Sequence, residues 1–209
     1  MNIKNAEITR EYGPLEGAPI IHGIEYDGNH LWLATGERLQ ALNPTTGRVE
    51  RHLDVAADAG TAFDGHHLYQ IAEARIQKID PRTGEVLTSV PAPGNGEDSG
   101  MAWAEGFLWI GQYRQRRIHQ VNPDTGAILR TLESDRFVTG VTWVDDALWH
   151  GTGEGDAGEL RRLHPESGEV LDRLRLPDGV GVSGLTHDGN GGFYCGGGPS
   201  GRVRVVARR

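Results

Sequence analysis

The stretch HGIEYDGNHLWLATG (residues 22–36) holds an alternating segment, an Asp-Gly turn and a second apolar segment, and it recurs along the chain. An Asp-Gly turn between alternating apolar residues is typical of a β-hairpin. A hairpin repeated about every 40 residues predicts a β-propeller, in which each repeat belongs to one blade. The further copies are AGTAFDGHHLYQIAE from Ala59, SGMAWAEGFLWIGQY from Ser99, TGVTWVDDALWHGTG from Thr139 and, with one extra residue in its turn, SGLTHDGNGGFYCGG from Ser183.

A second hairpin follows each of the first four copies. Its turn begins with Asn, Asp or His before a proline and ends at a glycine. Proline fixes φ for a type I turn, and the closing glycine accepts a positive φ. Short alternating runs flank each turn, so the two hairpins together predict four strands per blade, A to D. The turns are NPTTG (43–47), DPRTG (80–84), NPDTG (122–126) and HPESG (164–168).

The last repeat contains strands A, B and C, and then the chain ends. Residues 6–12 have strand alternation and precede the first strand A, so we expect them to supply the missing strand D. This closure covers a sheet edge and fits the usual range of blade numbers. The sequence therefore predicts an all-β fold, a single five-bladed β-propeller domain with four antiparallel strands per blade. The expected blades are 22–55, 59–92, 99–134, 139–177, and 183–209 with 6–13.

Composition excludes several classes of function. The net charge of -8 disfavours a nucleic-acid partner. No stretch has the roughly 18 apolar residues of a membrane span, and the charged start of the chain predicts no secretory signal. Cys195 is the single cysteine, so no intrachain disulfide can form. We expect a soluble, cytoplasmic monomer without a cofactor.

Aromatic residues recur at two aligned positions, one in strand A and one in strand B. Because the same position is aromatic in nearly every blade, we interpret these side chains as packing between blades. All five tryptophans fall at these positions: Trp32, Trp103, Trp109, Trp143 and Trp149. Tyr113 and Phe137 lie in loops outside the repeated positions, which favours ligand contact.

A ligand site is expected at the channel mouth, on the face formed by the D-to-A and B-to-C loops. The residue before the strand A glycine should line this mouth, and His22 occupies that position in blade 1. His150 and Gln70 are polar where strand B is otherwise apolar. No ligand spacing typical of a metal site is present. The catalytic candidates are His22, Asp98, Glu97 and His150, and the binding candidates are Asp58, Gln70, Ser99, Tyr113, Arg114, Phe137, Thr139 and Ser183.

The blades resemble the glutamine cyclotransferase family, five-bladed propellers that convert N-terminal glutamine to pyroglutamate. HGIEYDG (22–28) is similar to the run that begins the family's first blade. LYQIAEARIQKIDPRTGEVL (68–87) is similar to the second blade, with Gln70 matching, and LWIGQYRQRRIHQVNPDTG (108–126) and GLTHDG (184–189) resemble later segments. The family places acidic residues directly before several strand A glycines, whereas none of these positions is acidic here. Glu97 is the closest match.

The resemblance implies a divergent glutaminyl-cyclase-like propeller that binds a small molecule or a peptide terminus. In this hypothesis His22 and a nearby carboxylate move protons at the channel mouth, as an acyltransferase of this type requires. Two alternatives remain open. One is a binding or scaffold propeller without chemistry, and the other is a propeller lyase or lactonase.

Overall fold

The computed structural model describes residues 3–154 and 157–208, and these form five small antiparallel sheets arranged as the blades of a β-propeller. The predicted fold class is confirmed. Blade 1 contains β3 (Gly23–Tyr26), β4 (Leu31–Ala34), β5 (Leu39–Asn43) and β6 (Arg48–Leu53). Blade 2 contains β7 (Thr61–Phe63), β8 (Leu68–Ala72), β9 (Arg75–Ile79) and β10 (Val86–Pro91).

Blades 3 to 5 repeat this order. Blade 3 contains β11 (Asp98–Ala104), β12 (Phe107–Gln112), β13 (Arg117–Val121) and β14 (Ile128–Glu133). Blade 4 contains β15 (Val141–Val144), β16 (Ala147–Glu154), β17 (Ala157–Leu163) and β18 (Val170–Arg175). Blade 5 contains β19 (Gly184–His187), β20 (Phe193–Gly196), β21 (Val203–Ala207) and, from the start of the chain, β2 (Glu7–Tyr12).

The ring closes as the sequence predicts. β2 pairs antiparallel with β21, from Glu7 opposite Ala207 to Tyr12 opposite Val203. The Tyr12 side chain is buried, and its hydroxyl donates a hydrogen bond to the Pro44 carbonyl of blade 1 at 2.7 Å. The first strand of the chain therefore completes blade 5 and also ties it to blade 1.

An additional strand, β1 (Ile3–Asn5), was not predicted. It pairs in parallel with β18, from Ile3 opposite Arg173 to Asn5 opposite Arg175, so the sheet of blade 4 has five strands. The Ala6 N–H donates to the Arg175 carbonyl at 2.8 Å, which continues this contact toward β2. The N-terminal segment thus bridges the outer strands of two neighbouring blades.

The proline-containing turns have the expected chemistry. Asn43 Oδ1 accepts hydrogen bonds from the N–H groups of Thr45 and Thr46 at 2.9 and 3.1 Å, and Gly47 closes the turn with φ of +72°. In blade 4 the His164 ring replaces this side chain, and its Nδ1 accepts from Glu166 and Ser167 at 3.3 Å. These turns fix the strand C to D hairpins.

Five glycines form a narrow waist where the strands A meet. A Cβ added to Gly60 would lie 2.5 Å from the Met101 nitrogen, and one added to Gly100 would lie 2.3 Å from the Val141 nitrogen. The same close approach continues around the ring, from blade to blade, back to the first. Only glycine fits such a backbone contact. The glycine waist consists of Gly23, Gly60, Gly100, Gly140 and Gly184.

The hydrophobic core lies between neighbouring blades as five separate clusters of buried side chains. The aromatic residues of strand B lie inside these clusters or against them and are almost fully buried, as the sequence predicts. They are Trp32, Tyr69, Trp109, Trp149 and Tyr194. Among the residues that the structure describes, no helix has the length and apolar character needed to cross a membrane.

Candidate functional site

A cavity of about 350 Å³ opens at the predicted channel mouth, on the side of the glycine waist where the D-to-A loops meet. We call it the mouth cavity. Seven of the twelve predicted site residues line it: His22, Asp58, Asp98, Ser99, Tyr113, Thr139 and Ser183. The remaining wall is mostly apolar and comes from Ile20, Ile21, Ala59, Val182, Gly198 and Pro199.

Asp98 is placed by a β-bulge at the start of β11. In β11, Asp98 lies opposite Gln112 and Met101 opposite Ile110, so three residue steps on one strand match two on the other. Asp98 therefore takes the place that regular pairing would give to Ser99. Bulges often redirect a side chain beside a functional site. Here the bulge brings a carboxylate into the wall of the mouth cavity.

The Asp98 carboxyl is buried, with 8 % of the residue exposed. The Gly94 N–H donates to its Oδ2 at 3.0 Å, while its Oδ1 finds no hydrogen-bond partner among the described residues. Burial raises the pKa of Asp98 to about 6, although the Gly94 N–H and the Gln112 side chain both act to lower it. A carboxyl with this pKa can both accept and release a proton near neutral pH.

His22 and Asp58 also line the mouth cavity. The His22 ring is half-buried and makes no hydrogen bond to any residue that the structure describes. Asp58 is exposed, and its Oδ2 accepts from the Glu73 N–H at 3.3 Å. Among the described lining residues there is no lysine or arginine. The mouth cavity is therefore lined by acidic groups without a cation to balance them.

The hydroxyl groups at the mouth serve mainly to hold the blades together. Ser99 Oγ donates to the Val138 carbonyl at 2.8 Å, and Ser183 Oγ donates to the Ile21 carbonyl at 2.5 Å. Thr139 Oγ1 is buried and has no hydrogen-bond partner in the described part of the chain. The two serines thus line the cavity, but their hydroxyl groups already donate hydrogen bonds to the backbone of a neighbouring segment.

Tyr113 and Phe137 form an aromatic pair at the rim of the mouth cavity. The rings of Tyr113 and Phe137 stack with centroids 4.6 Å apart, and the guanidinium of Arg116 lies 4.7 Å from the centroid of Phe137. Tyr113 lines the mouth cavity, whereas Phe137 does not line it and stacks on Tyr113. Arg114 and Glu97, both predicted to take part in the site, are exposed and do not line the cavity.

Gln70 and His150 lie inside blades and do not reach the mouth cavity. Gln70 is fully buried: its Oε1 accepts from Thr61 Oγ1 at 2.6 Å and its Nε2 donates to the Ile71 carbonyl at 2.8 Å. His150 is also fully buried, and burial lowers its pKa to about 4. It therefore stays neutral at physiological pH. The strand B position faces a neighbouring blade, which sequence reasoning did not take into account.

The sequence matches no protein-family model and no curated protein. Among solved structures, the glutaminyl cyclase of Myxococcus xanthus has a TM-score of 0.79 at 18% identity, over 97% of this chain and 96% of that chain. The fold is glutaminyl cyclase-like. A protein of unknown function from Bacteroides caccae has a TM-score of 0.59 at 17% identity, over 90% of this chain and 74% of that one. At these identities the likeness concerns the fold, and the chemistry has to be argued from the mouth cavity itself.

Proposed function

We propose that the mouth cavity binds a small molecule or a peptide with a free amino group, and that Asp98 transfers a proton in a cyclisation of the glutaminyl type. The buried Asp98 carboxyl, with a pKa of about 6 in the wall of this cavity, is the observation that supports the proposal. The glutaminyl cyclase-like fold is consistent with it.

The reaction requires one group that takes up and returns a proton. The α-amino nitrogen, in its neutral amine form, attacks the side-chain amide carbon and forms the ring C–N bond, and the bond to the amide nitrogen breaks. The proton lost by the attacking nitrogen passes to Asp98 and then to the departing nitrogen, which leaves as ammonia. A pKa near the working pH suits both transfers. His22, which lines the same cavity, is the second candidate for proton transfer.

The charge of the mouth cavity supports an amine-bearing ligand. Asp58 and Asp98 line the cavity, and no lysine or arginine among the described residues faces them there. Such a cavity attracts an ammonium group and repels a carboxylate. The apolar wall formed by Ile20, Ile21 and Val182 then suits the aliphatic part of the ligand.

Turnover of peptides with N-terminal glutamine tests the proposal. We expect wild-type protein to release ammonia and form the pyroglutamyl product, with kcat/KM falling as the pH drops below about 6, because Asp98 is then protonated. Asp98→Asn should lower kcat/KM about 10²- to 10⁴-fold, and His22→Ala should also lower it.

Asp146→Asn is the matched control, since Asp146 is an exposed turn residue outside the mouth cavity. It should leave turnover unchanged. Equal rates for wild type and Asp98→Asn would exclude Asp98 from the mechanism. Saturable binding of the peptide without turnover would instead favour the binding propeller.

A further inference from the structure

A second cavity, of about 260 Å³, lies at the opposite end of the central channel, where the strand A to B hairpins meet. We call it the floor cavity. It shares no lining residue with the mouth cavity, and the glycine waist lies between the two. Neither the resemblance nor the proposed function uses it.

Each blade contributes one aromatic ring to the floor cavity, at the aligned strand A position. The sequence indicated that these rings are packing residues, and the structure modifies that interpretation. They are only partly buried, unlike the aromatic residues of strand B, and they face the cavity. The five residues are Tyr26, Phe63, Trp103, Trp143 and His187.

Packing against strand B holds these rings in place. Trp103 stacks on Tyr69 with centroids 5.3 Å apart, and Trp143 stacks on Trp109 at 5.9 Å. Tyr26 packs against Tyr194 at 5.5 Å. Rings fixed in this way need no rearrangement to receive a ligand, so little binding energy is lost in ordering them.

Glu25 breaks the repeat inside the floor cavity. Alanine or threonine occupies the equivalent position in the other blades. Glu25 is 7 % exposed, and its Oε1 accepts a hydrogen bond from Thr186 Oγ1 at 3.2 Å. Burial raises the pKa of this carboxyl well above its usual range. A cation beside it would favour the ionised form and offset that cost of burial.

The adjacent Asp27 adds a second carboxyl group. Its Oδ1 accepts from the N–H groups of Asn29 and His30 at 2.8 and 2.6 Å, and its Oδ2 accepts from Trp32 Nε1 at 2.7 Å. Among the described residues that line the floor cavity, none is lysine or arginine. The floor cavity therefore combines two carboxyl groups with five aromatic side chains.

We propose that the floor cavity binds an organic cation with a methylated ammonium head. Aromatic faces attract such a cation through the negative potential of their π-systems, and this is the arrangement used for choline-like and methyl-lysine ligands. The methyl groups of such a head carry part of its positive charge and are apolar enough to pack against the aromatic wall. Glu25 supplies the opposite charge at the base of the cavity.

Choline and its neutral isostere 3,3-dimethylbutan-1-ol test this proposal on the whole protein, followed by calorimetry and by tryptophan fluorescence. The two probes have nearly the same shape and differ in charge. We expect choline to bind saturably and to change the emission of Trp103 and Trp143, and the neutral alcohol to bind at least about tenfold more weakly.

Glu25→Gln should weaken choline binding about tenfold or more, and Asp146→Asn should leave it unchanged. Should Glu25→Gln fail to fold, Trp143→Leu provides an independent variant with the same expectation, since Trp143 also lines the cavity. The proposal is overturned if choline does not bind saturably or if the neutral alcohol binds equally well. Because the mouth cavity is separate, failure of glutaminyl turnover would leave this result unaffected.

Discussion

The Asp98 carboxyl is mostly buried, and its pKa of about 6 leaves it largely charged at neutral pH. Its pKa in the folded protein, about 6, is above the ordinary value of 3.8. The carboxyl therefore contributes stability below pH 3.8, and that contribution is lost as the pH rises through 6. A residue retained despite this cost is more consistent with proton transfer than with packing.

Asp98→Asn should accordingly raise the free energy of unfolding at pH 8 by roughly 1–3 kcal/mol, because the amide stays neutral. Urea denaturation at pH 8 and at pH 4 measures this effect, which should shrink at the lower pH. A variant that is less stable than wild type at pH 8 would contradict the raised pKa. Asp146→Asn again serves as the control, with little change at either pH.

At the level of single strands, the start of strand A decides how closely the blades approach. In β11 the Gly100 Cα faces the backbone of Val141, so that an added Cβ would lie 2.3 Å away. Neither the glycine nor the opposing main chain can move aside as a flexible side chain would. We regard this contact as a steric requirement of the ring and not as a property of one blade.

Gly100→Ala should destabilise the protein by more than about 2 kcal/mol, because the extra methyl group forces two blades apart. Thermal unfolding followed by circular dichroism measures this effect. Gly181→Ala is the matched control: Gly181 lies in an exposed loop, and an added Cβ there meets nothing within 4 Å. Similar melting temperatures for the two variants would refute the steric role of Gly100.

The strands themselves were largely predictable, because their turns carry strong local signals. Positive-φ glycines and Asx side chains determine the hairpins without help from distant residues. β1 was missed because its three side chains are exposed and show no apolar alternation. Its pairing with β18 depends on where the neighbouring blade lies, which is not encoded in the segment itself.

For the molecule as a whole, ring closure depends on one segment of chain. Tyr12 in β2 is buried in the cluster between blades 5 and 1 and donates a hydrogen bond to blade 1. Tyr12→Ala should lower the free energy of unfolding by about 3–5 kcal/mol, since it removes a buried ring together with the contact between the first and last blades. Chemical denaturation checks this value.

Tyr113→Ala provides the comparison for Tyr12→Ala, since Tyr113 is 38 % exposed and lies outside the hydrophobic clusters. It should lower the stability much less. An equal loss for the two variants would argue that closure by β2 contributes little to the fold.

The site was predictable to the extent that it follows the repeat. Residues next to the strand A glycines reach the mouth because symmetry puts that position there in every blade, and His22 and Ser183 line the mouth cavity for this reason. Gln70 and His150 do not line it, because polarity alone does not say which side of strand B faces a neighbouring blade. The bulge at Asp98 and the aromatic floor cavity depend on backbone geometry and on ring exposure, which have no signature in one sequence.

The glycine waist also determines how the mouth cavity and the floor cavity are connected. The waist consists of main chain alone, so no change of rotamer at these five positions can alter its width. The connection between the two cavities is therefore set by how the blades pack against each other. Binding in one cavity can affect the other cavity only if entire blades shift against each other.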